Sequence, residues 1–226
     1  MLKKVDIILV ADCSGSLAEQ RTVINSSLNA MIKSMKMSPD LMGCELYFSL
    51  VPFSKNVILE KAFEFKPLRT ITSQLELGNF ENVTNPGPAL KNITVKALAR
   101  YEKWKHNGDF CMHPLIFFFT DGYPYHPDDA MRAKFVSDYK DAASFIKAKE
   151  SDKKLLIVGG AFGANADINN MNLLTANPER ILKISSDNVE KLGKFFSEII
   201  PITTVTTLTK SADQLKPMFM AFNNCE

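Results

Sequence analysis

The sequence lacks the features that mark membrane proteins, nucleic-acid binders and secreted proteins. No apolar run approaches the roughly 18–20 residues that cross a bilayer. Lysine and arginine total 27 against 25 aspartates and glutamates, so the basic excess typical of proteins that bind nucleic acids or membrane surfaces is absent. The apolar run at residues 7–11 is too short for a signal peptide, and Asp6 precedes it. We therefore predict a cytoplasmic protein with neither a membrane nor a nucleic-acid partner.

Cysteine is also scarce, and its spacing excludes two classes of small stabilised domain. The four cysteines form no Cys-x-x-Cys pair: Cys13, Cys44, Cys111 and Cys225. Zinc therefore has no support in the sequence, and free thiols are expected instead of a disulfide framework. With 226 residues, of which 46% are hydrophobic and 23% charged, the chain is long enough for one large domain with its own core.

Strand and helix patterns alternate along the chain and predict the fold class. Short apolar or β-branched runs typical of strands occur at residues 5–11, 45–53, 115–119, 155–158 and 181–184. Apolar residues at helical spacing occur at residues 23–35, 90–104, 131–146 and 189–199. This order predicts an α/β fold that is doubly wound and Rossmann-like, with a mostly parallel sheet and helices on both faces.

Three segments are less regular. Residues 57–59 are predicted to pair with the 45–53 strand as a hairpin, which gives the sheet one antiparallel edge strand. A short helix is predicted at residues 71–77. We assign residues 1–202 to the domain and residues 203–226 to a C-terminal extension that either packs on the same domain or forms a loose tail.

Polar side chains stand where a functional site lies in this fold class. Open α/β sheets bind ligands beyond the carboxyl ends of their strands, at the point where the strand order reverses. The candidates are Asp12, Ser14 and Ser16 after the first strand, Thr84 before the 90–104 helix, and Asp121 after the 115–119 strand. All are hard oxygen donors, which suit Mg²⁺, or Mn²⁺ and Ca²⁺ in its place. Two carboxylates and three neutral hydroxyls form an incomplete shell that leaves the cation able to accept an anionic oxygen from outside.

Other interpretations of these residues are open at this point. Asp12 and the two serines are also residue types that cap the N-terminus of a helix, here the one at residues 23–35. Thr70, Thr72 and Ser73 are alternative hydroxyls to Thr84.

Aromatic residues follow Asp121 and predict a contact rim beside the site. The rim residues are Tyr123, Tyr125 and His126. Exposed tyrosines beside a site are common anchors for a partner, although packing of the loop among its prolines is an equal alternative. For His126, hydrogen bonding at the rim is favoured over catalysis.

The three polar segments resemble a known motif. Asp12-x-Ser-x-Ser, a threonine loop and Thr-Asp-Gly, in this order, resemble the metal-ion-dependent adhesion site of von Willebrand factor type A (vWA) domains. Residues 1–200 resemble the bacterial TerY-like branch, found in tellurite-resistance and chemical-stress gene clusters. Those matches are Asp12-Cys13-Ser14-Gly15-Ser16, Thr84-x-x-Gly87-x-Ala89-Leu90, Thr120-Asp121-Gly122-Tyr123-Pro124, and a helix at 192–202 containing Phe195-Phe196. Cys13 and Tyr123 depart from that branch, which usually has Thr and Glu there.

The resemblance implies a function as well as a fold. Ser14, Ser16 and Thr84 would reach the metal through their hydroxyls, and Asp12 and Asp121 directly or through water. A partner's Asp or Glu carboxylate often completes the coordination sphere in that family. The resemblance therefore implies a protein-binding scaffold in a bacterial tellurite-resistance or stress-response system, with a kinase or phosphatase of the same gene cluster as a possible partner.

The alternative function is a Mg²⁺-dependent phosphohydrolase or phosphotransferase on a similar α/β fold. Such an enzyme of the haloacid-dehalogenase kind needs a nucleophilic Asp and an acid/base Asp two residues later, and here Ser14 stands at the second position. No Walker motif occurs, and Gly159-Gly160-x-x-Gly163 has the wrong spacing for a phosphate-binding loop. We therefore predict that the protein is not an enzyme.

Overall fold

The fold was taken from a computed structural model, which describes residues 2–55, 63–78, 82–163, 166–185, 188–209 and 212–224. Within these ranges the strands are β1 (Lys3–Asp12), β2 (Cys44–Phe53), β3 (Lys66–Pro67), β4 (Leu115–Thr120), β5 (Leu156–Phe162) and β6 (Ile181–Ile184). The helices are α1 (Arg21–Met37), α2 (Pro86–His106), α3 (Asp129–Ser151), α4 (Ile168–Met171), α5 (Val189–Lys194), α6 (Ile200–Thr209) and α7 (Lys216–Asn224). A π-helical turn, Phe195–Ile199, joins α5 to α6. No helix among the described residues is long and apolar enough to cross a membrane.

The six strands form one sheet in the order β3-β2-β1-β4-β5-β6. Every neighbouring pair is parallel except β2 and β3, which are antiparallel. The predicted doubly wound α/β class, with one antiparallel edge strand, is therefore confirmed. The edge strand is Lys66–Pro67, and the predicted partner at residues 57–59 lies outside the described residues. The strand order reverses between β1 and β4.

Strand β1 shows why the sheet needs helices on both faces. Its residues 5–12 are all buried, and successive side chains of a strand point to opposite faces. Val5, Ile7 and Leu9 belong to one core, which they share with α1 and the C-terminal helices. Ile8 and Val10 belong to the other core, formed with α2 and α3.

The helix predicted at residues 71–77 is wrong, because this segment has no helical structure. Its backbone is bonded instead by two asparagine side chains of α1. The Asn29 amide accepts from Leu75 N at 2.9 Å and donates to Leu75 O at 2.9 Å. Asn25 accepts from Leu77 N at 2.8 Å. Backbone groups paired in this way have no need of helical hydrogen bonds.

The C-terminal residues within the described ranges contact the core and the edge of the sheet. Leu215 and Phe219 are buried in the core shared with α1. The Asn223 side chain accepts from Lys183 N at 2.8 Å and donates to Ile181 O at 3.2 Å. Helix α7 therefore covers backbone groups at the β6 edge of the sheet, an edge that would otherwise be open to further strand pairing.

Gly160 of β5 makes room for the π-helical turn that joins α5 to α6. A Cβ atom on Gly160 would lie 2.8 Å from the Phe195 ring, so only glycine lets that ring pack against the sheet. Phe195 and Phe196 also contact Phe119 of β4, with ring centroids 5.9 and 5.0 Å away. Gly160 therefore serves packing inside a strand, and Gly159 does too, since a Cβ atom there would lie 2.8 Å from Ile181 Cδ1.

Candidate metal centre

The candidate site lies at the carboxyl end of the sheet, where the strand order reverses. Strand β1 ends at Asp12 and the neighbouring β4 ends at Thr120, so the loops that follow diverge and leave a cleft. The cleft is lined by Ser14, Gly15, Ser16, Asn82, Thr84, Asp121, Gly122, Tyr123 and Tyr125. Three segments that are distant in the sequence thus meet at one place.

Asp12 forms the floor of the site and is 0% exposed. Its carboxylate accepts a hydrogen bond from Ser14 N at 2.7 Å and another from the Thr120 hydroxyl at 2.5 Å. These two contacts fix the carboxylate between the ends of β1 and β4.

The two serines and Asp121 are in direct contact above this floor. Ser14 Oγ lies 2.9 Å from Ser16 Oγ and donates to Asp121 Oδ1 at 3.3 Å. The alternative that these serines cap α1 is wrong, because α1 begins only at Arg21 and neither Ser14 nor Gln20 makes a side-chain cap bond. A 3₁₀ helix, Gly15–Gln20, which contains Ser16, lies between Ser14 and α1.

Thr84 is held in the cleft by its backbone. Thr84 N donates to Tyr125 O at 3.0 Å and Tyr125 N donates to Thr84 O at 2.9 Å, so the threonine loop is bonded directly to the loop after β4. On its other side, Asn85 N donates to Ser54 O at 2.9 Å. Thr70, one of the alternative hydroxyls, is exposed and donates to Pro67 O. Neither Thr72 nor Ser73 lines the cleft.

Helix packing fixes where the threonine loop ends and α2 begins. A Cβ atom on Gly87 would lie 2.6 Å from the carbonyl carbon of Asp138, so the first turn of α2 touches the backbone of α3 directly. Any larger residue at this position would separate the two helices and displace the loop that carries Thr84.

Two acids, Asp12 and Asp121, lie close enough in the site for the charge of one to affect the other. Burial, and then the charge of nearby Asp121, raise the pKa of Asp12 to about 7, against the opposing hydrogen bonds from Thr120 and Ser14. Burial also raises the pKa of Asp121, although the Ser16 and Ser14 hydroxyls lower it in part. Within the described ranges, no lysine, arginine or histidine forms an ion pair with either carboxylate.

This donor set fits a divalent cation. Two carboxylates and the hydroxyls around them are hard oxygen donors of the kind that Mg²⁺, Mn²⁺ and Ca²⁺ accept. The described residues contain no cluster of three or more His, Cys, Asp or Glu side chains that could hold a metal. A metal at this position would therefore depend on Ser14, Ser16 and Thr84 as much as on the two acids.

Of the three predicted rim residues, two line the cleft and one does not. Tyr123 and Tyr125 line the cleft, and Tyr125 is 47% exposed. The His126 ring does not line the cleft: it packs edge-on against Phe135, with centroids 5.4 Å apart, and its Nδ1 accepts from Asp128 N at 3.0 Å. Two tyrosines therefore border the opening, while the histidine holds the start of α3.

Two residues of the site were missed by sequence reasoning. Thr120 was named in the Thr-Asp-Gly motif without a role in the site, and the structure shows that its hydroxyl bonds the buried Asp12. Asn82 lines the cleft beside Thr84, and nothing in its sequence context distinguishes it from other loop asparagines.

No protein-family model matches the sequence, and no curated protein is significantly similar to it. Similarity is found among solved structures. Proximal thread matrix protein 1 from the mussel byssus superimposes with a TM-score of 0.58 at 14% identity, over 88% of this chain and 47% of that one. A second structure of the mussel protein, with a zinc-occupied metal-ion-dependent adhesion site, gives 0.56 at 15% identity, over 88% and 48% of the two chains.

Two bacterial pilus proteins are also similar. The pilus adhesin SpaC from Lactobacillus rhamnosus GG gives a TM-score of 0.59 at 15% identity, over 88% of this chain and 30% of that one. The von Willebrand factor domain of the type V pilus tip protein Mfa5 from Porphyromonas gingivalis gives 0.55 at 12% identity, over 91% and 96%. The chain spans about half the length of the mussel protein, and its fold is that of a vWA domain.

Proposed function

We propose that this protein is a metal-ion-dependent protein-binding module without enzymatic activity of its own. Asp12, Ser14, Ser16, Thr84 and Asp121 would hold one divalent cation, with Mg²⁺ the first choice and Mn²⁺ or Ca²⁺ as alternatives. A partner protein would complete the coordination with an Asp or Glu carboxylate. The observation that carries the proposal is the hydrogen bond between Ser14 Oγ and Asp121. It joins two loops that are 107 residues apart in the sequence, at the place where Asp12 and Asp121 lie without an ion-pair partner.

The charges of the site explain why the cation and the partner would depend on each other. Only two of the five proposed ligands carry charge, and five ligands leave one position of an octahedral shell open, so the cation would keep its attraction for a further anionic oxygen. A partner carboxylate that binds the cation must then tighten cation binding by the same factor by which the cation tightens partner binding.

The structural neighbours support a site of this kind. The zinc-occupied adhesion site of the mussel protein is an example of a divalent cation in this fold. Two other neighbours are a pilus adhesin and a pilus tip protein. For the present chain, the oxygen-only donor set favours Mg²⁺ over zinc, which prefers nitrogen and sulfur ligands.

The burial of Asp12 argues against the phosphohydrolase alternative. That enzyme would need Asp12 as an exposed nucleophile, whereas its carboxylate is fully buried and bonded by Ser14 N and the Thr120 hydroxyl. Ser14 stands where the acid/base carboxylate would be required, and a serine cannot perform that proton transfer.

The biological setting of the module is a second, finer proposal. We place it in the cytoplasm, in a bacterial tellurite-resistance or stress-response system, with a kinase or phosphatase of the same gene cluster as a candidate partner. The support for this setting is the TerY-like sequence resemblance of residues 1–200 alone.

Affinity capture tests the module directly. The full chain is immobilised and exposed to a bacterial lysate in Mg²⁺ or in EDTA, and captured proteins are identified by mass spectrometry. We expect specific proteins that are retained in Mg²⁺, released by EDTA and absent when the bait carries Asp121→Asn.

The matched control is Asp141→Asn, which removes an exposed carboxylate of α3 that does not line the cleft. This bait should capture the same proteins as the unmodified chain. Equal capture in Mg²⁺ and EDTA, or by the Asp121→Asn bait, would show that partners use a surface that does not depend on metal.

A further inference from the structure

A cationic side chain stacks on Tyr125, one of the two tyrosines that line the cleft. Arg132, in the first turn of α3, places its guanidinium carbon 5.1 Å from the centre of the Tyr125 ring. Its Nε donates to the His126 carbonyl at 2.9 Å. Stacking and hydrogen bond together fix the guanidinium beside a ring that lines the cleft.

The Tyr125 backbone ties this cation to the candidate metal ligands. Tyr125 and Thr84 exchange two backbone hydrogen bonds of 2.9 and 3.0 Å. The Arg132 guanidinium, the Tyr125 ring and the Thr84 loop therefore form one connected unit.

The only acidic partner of Arg132 within the described residues is a weak one. Arg132 Nη1 lies 3.3 Å from Asp129 Oδ1, and the Asp129 side chain is 91% exposed. Exposed ion pairs of this kind contribute little, because water and salt screen them. Asp128 is already engaged, since its carboxylate accepts from Met131 N at the start of α3.

We infer that the partner presents two carboxylates on one acidic segment: the first for the metal-ion site and the second for Arg132, where it replaces Asp129 across the Tyr125 ring. This inference rests on the proposed function. The charge arrangement favours it. Asp12 and Asp121 would balance the charge of a divalent cation, whereas the charge of Arg132 is balanced only by Asp129, whose side chain lies in solvent. A planar guanidinium can also donate two parallel hydrogen bonds to a carboxylate, and these are stronger than hydrogen bonds between neutral groups.

Capped synthetic peptides provide the test with the full chain as it exists. One set carries a single Glu in a glycine-serine background; a second set carries two Glu residues separated by one, two or three residues, and a third replaces the second Glu with Gln. Binding in saturating Mg²⁺ is measured by NMR chemical-shift titration. We expect the best two-Glu peptide to bind about fivefold more tightly than the single-Glu and Glu/Gln peptides, as for one partly exposed ion pair.

Two variants predict changes of opposite sign, which loss of structure does not produce. Arg132→Gln should abolish the advantage of the second Glu. Asp129→Asn, which removes the internal competitor, should increase that advantage about twofold. Arg132→Lys keeps the charge but loses the planar contacts with the ring and the His126 carbonyl, so it should retain only part of the advantage.

The titrations distinguish failure of the inference from failure of the proposed function. If the chain binds Mg²⁺ and the single-Glu peptide, but the second Glu adds nothing in any spacing, the inference is wrong and the metal-dependent module stands. The inference is also wrong if Arg132→Gln and Asp129→Asn shift the advantage in the same direction. If no peptide binding depends on Mg²⁺, the proposed function itself fails.

Discussion

Glu150 and Asp12 are both buried carboxylates, yet the fold treats them in opposite ways. Glu150 accepts hydrogen bonds from Arg180 Nη1 at 2.6 Å, from the Thr175 hydroxyl at 2.7 Å and from Ala176 N at 2.7 Å. The charged side chain that acts on Asp12 is another acid, Asp121, and its negative charge opposes the ionisation of Asp12.

The difference separates a structural acid from a candidate binding acid. Burying a carboxylate is costly unless an opposite charge and hydrogen bonds compensate it. At Glu150 the chain supplies that charge itself, and the pair fastens the end of α3 to the segment before β6. At Asp12 the described part of the chain supplies hydrogen bonds but no positive charge, so its buried charge is relieved either by protonation, as its raised pKa shows, or by a bound cation.

Asp6 is intermediate between these two. It forms an ion pair with Arg100, with Nε 3.1 Å from Oδ2, and the same guanidinium lies over the rings of Tyr47, Phe65 and Trp104 at 5.0, 4.4 and 4.9 Å. Burial nevertheless outweighs the arginine and raises the pKa of Asp6 to about 6. The three acids thus form a series. Glu150 is fully compensated by an internal cation, Asp6 is partly compensated, and Asp12 is not compensated by any cation of the described residues.

The largest loss of stability is expected when Arg180, the internal counter-charge of Glu150, is removed. Arg180→Leu leaves the Glu150 carboxylate buried without its counter-charge, and breaking such a pair typically costs about 3–5 kcal/mol. Urea unfolding should show this loss in the free energy of unfolding. Arg69→Leu is the control, since Arg69 is exposed and donates to the Met42 carbonyl; its loss should stay below about 1 kcal/mol. Equal losses for the two variants would mean that burial does not distinguish these acids.

A smaller, pH-dependent effect is expected at Asp6. Its pKa rises from 3.8 to about 6 on folding, so the folded state binds the proton more tightly than the unfolded state. The stability contributed by this group is therefore fully present below pH 3.8 and is lost as the pH rises through about 6. Asp6→Asn removes the titration. The wild-type protein should lose on the order of 2–3 kcal/mol relative to this variant between pH 4 and pH 7.

The measurement is the difference in free energy of unfolding between wild type and Asp6→Asn across that pH range. A subtraction of this kind cancels the other carboxyl groups, which are common to both proteins. A difference that is flat, or that changes in favour of the wild type as the pH rises, would place Asp6 with Glu150 as a fully neutralised acid.

Much of the fold could be predicted from the sequence, because the signals involved are local. Runs such as residues 115–119 are apolar throughout, and parallel strands of one sheet carry their carboxyl ends to the same edge. That rule alone brought Ser14 and Asp121 together, and the structure places them in hydrogen-bond contact. Their role as metal ligands stays a prediction.

Features that depend on distant side chains could not be predicted. The apolar residues of segment 71–77 fit a helix, but Asn25 and Asn29, 46 to 52 residues earlier, take up its backbone hydrogen bonds. Arg132 was missed for the same reason, since its stacking on Tyr125 depends on how the loop after β4 enters α3.

The smallest change in stability is expected at Asp121, which shares its site with Asp12 and has no counter-charge within the described residues. This change tests most directly the claim that these loops form a cation site. Free energies of unfolding are measured for wild type and Asp121→Asn, each in EDTA and in Mg²⁺. In EDTA the variant should be the more stable by about 1 kcal/mol, because it removes a half-buried charge that repels Asp12. In Mg²⁺ at roughly ten times Kd the wild type should gain about 1.4 kcal/mol and the variant nothing, so the order of stability reverses. A wild type that Mg²⁺ does not stabilise, or a variant that gains as much, would contradict a cation site formed by these loops.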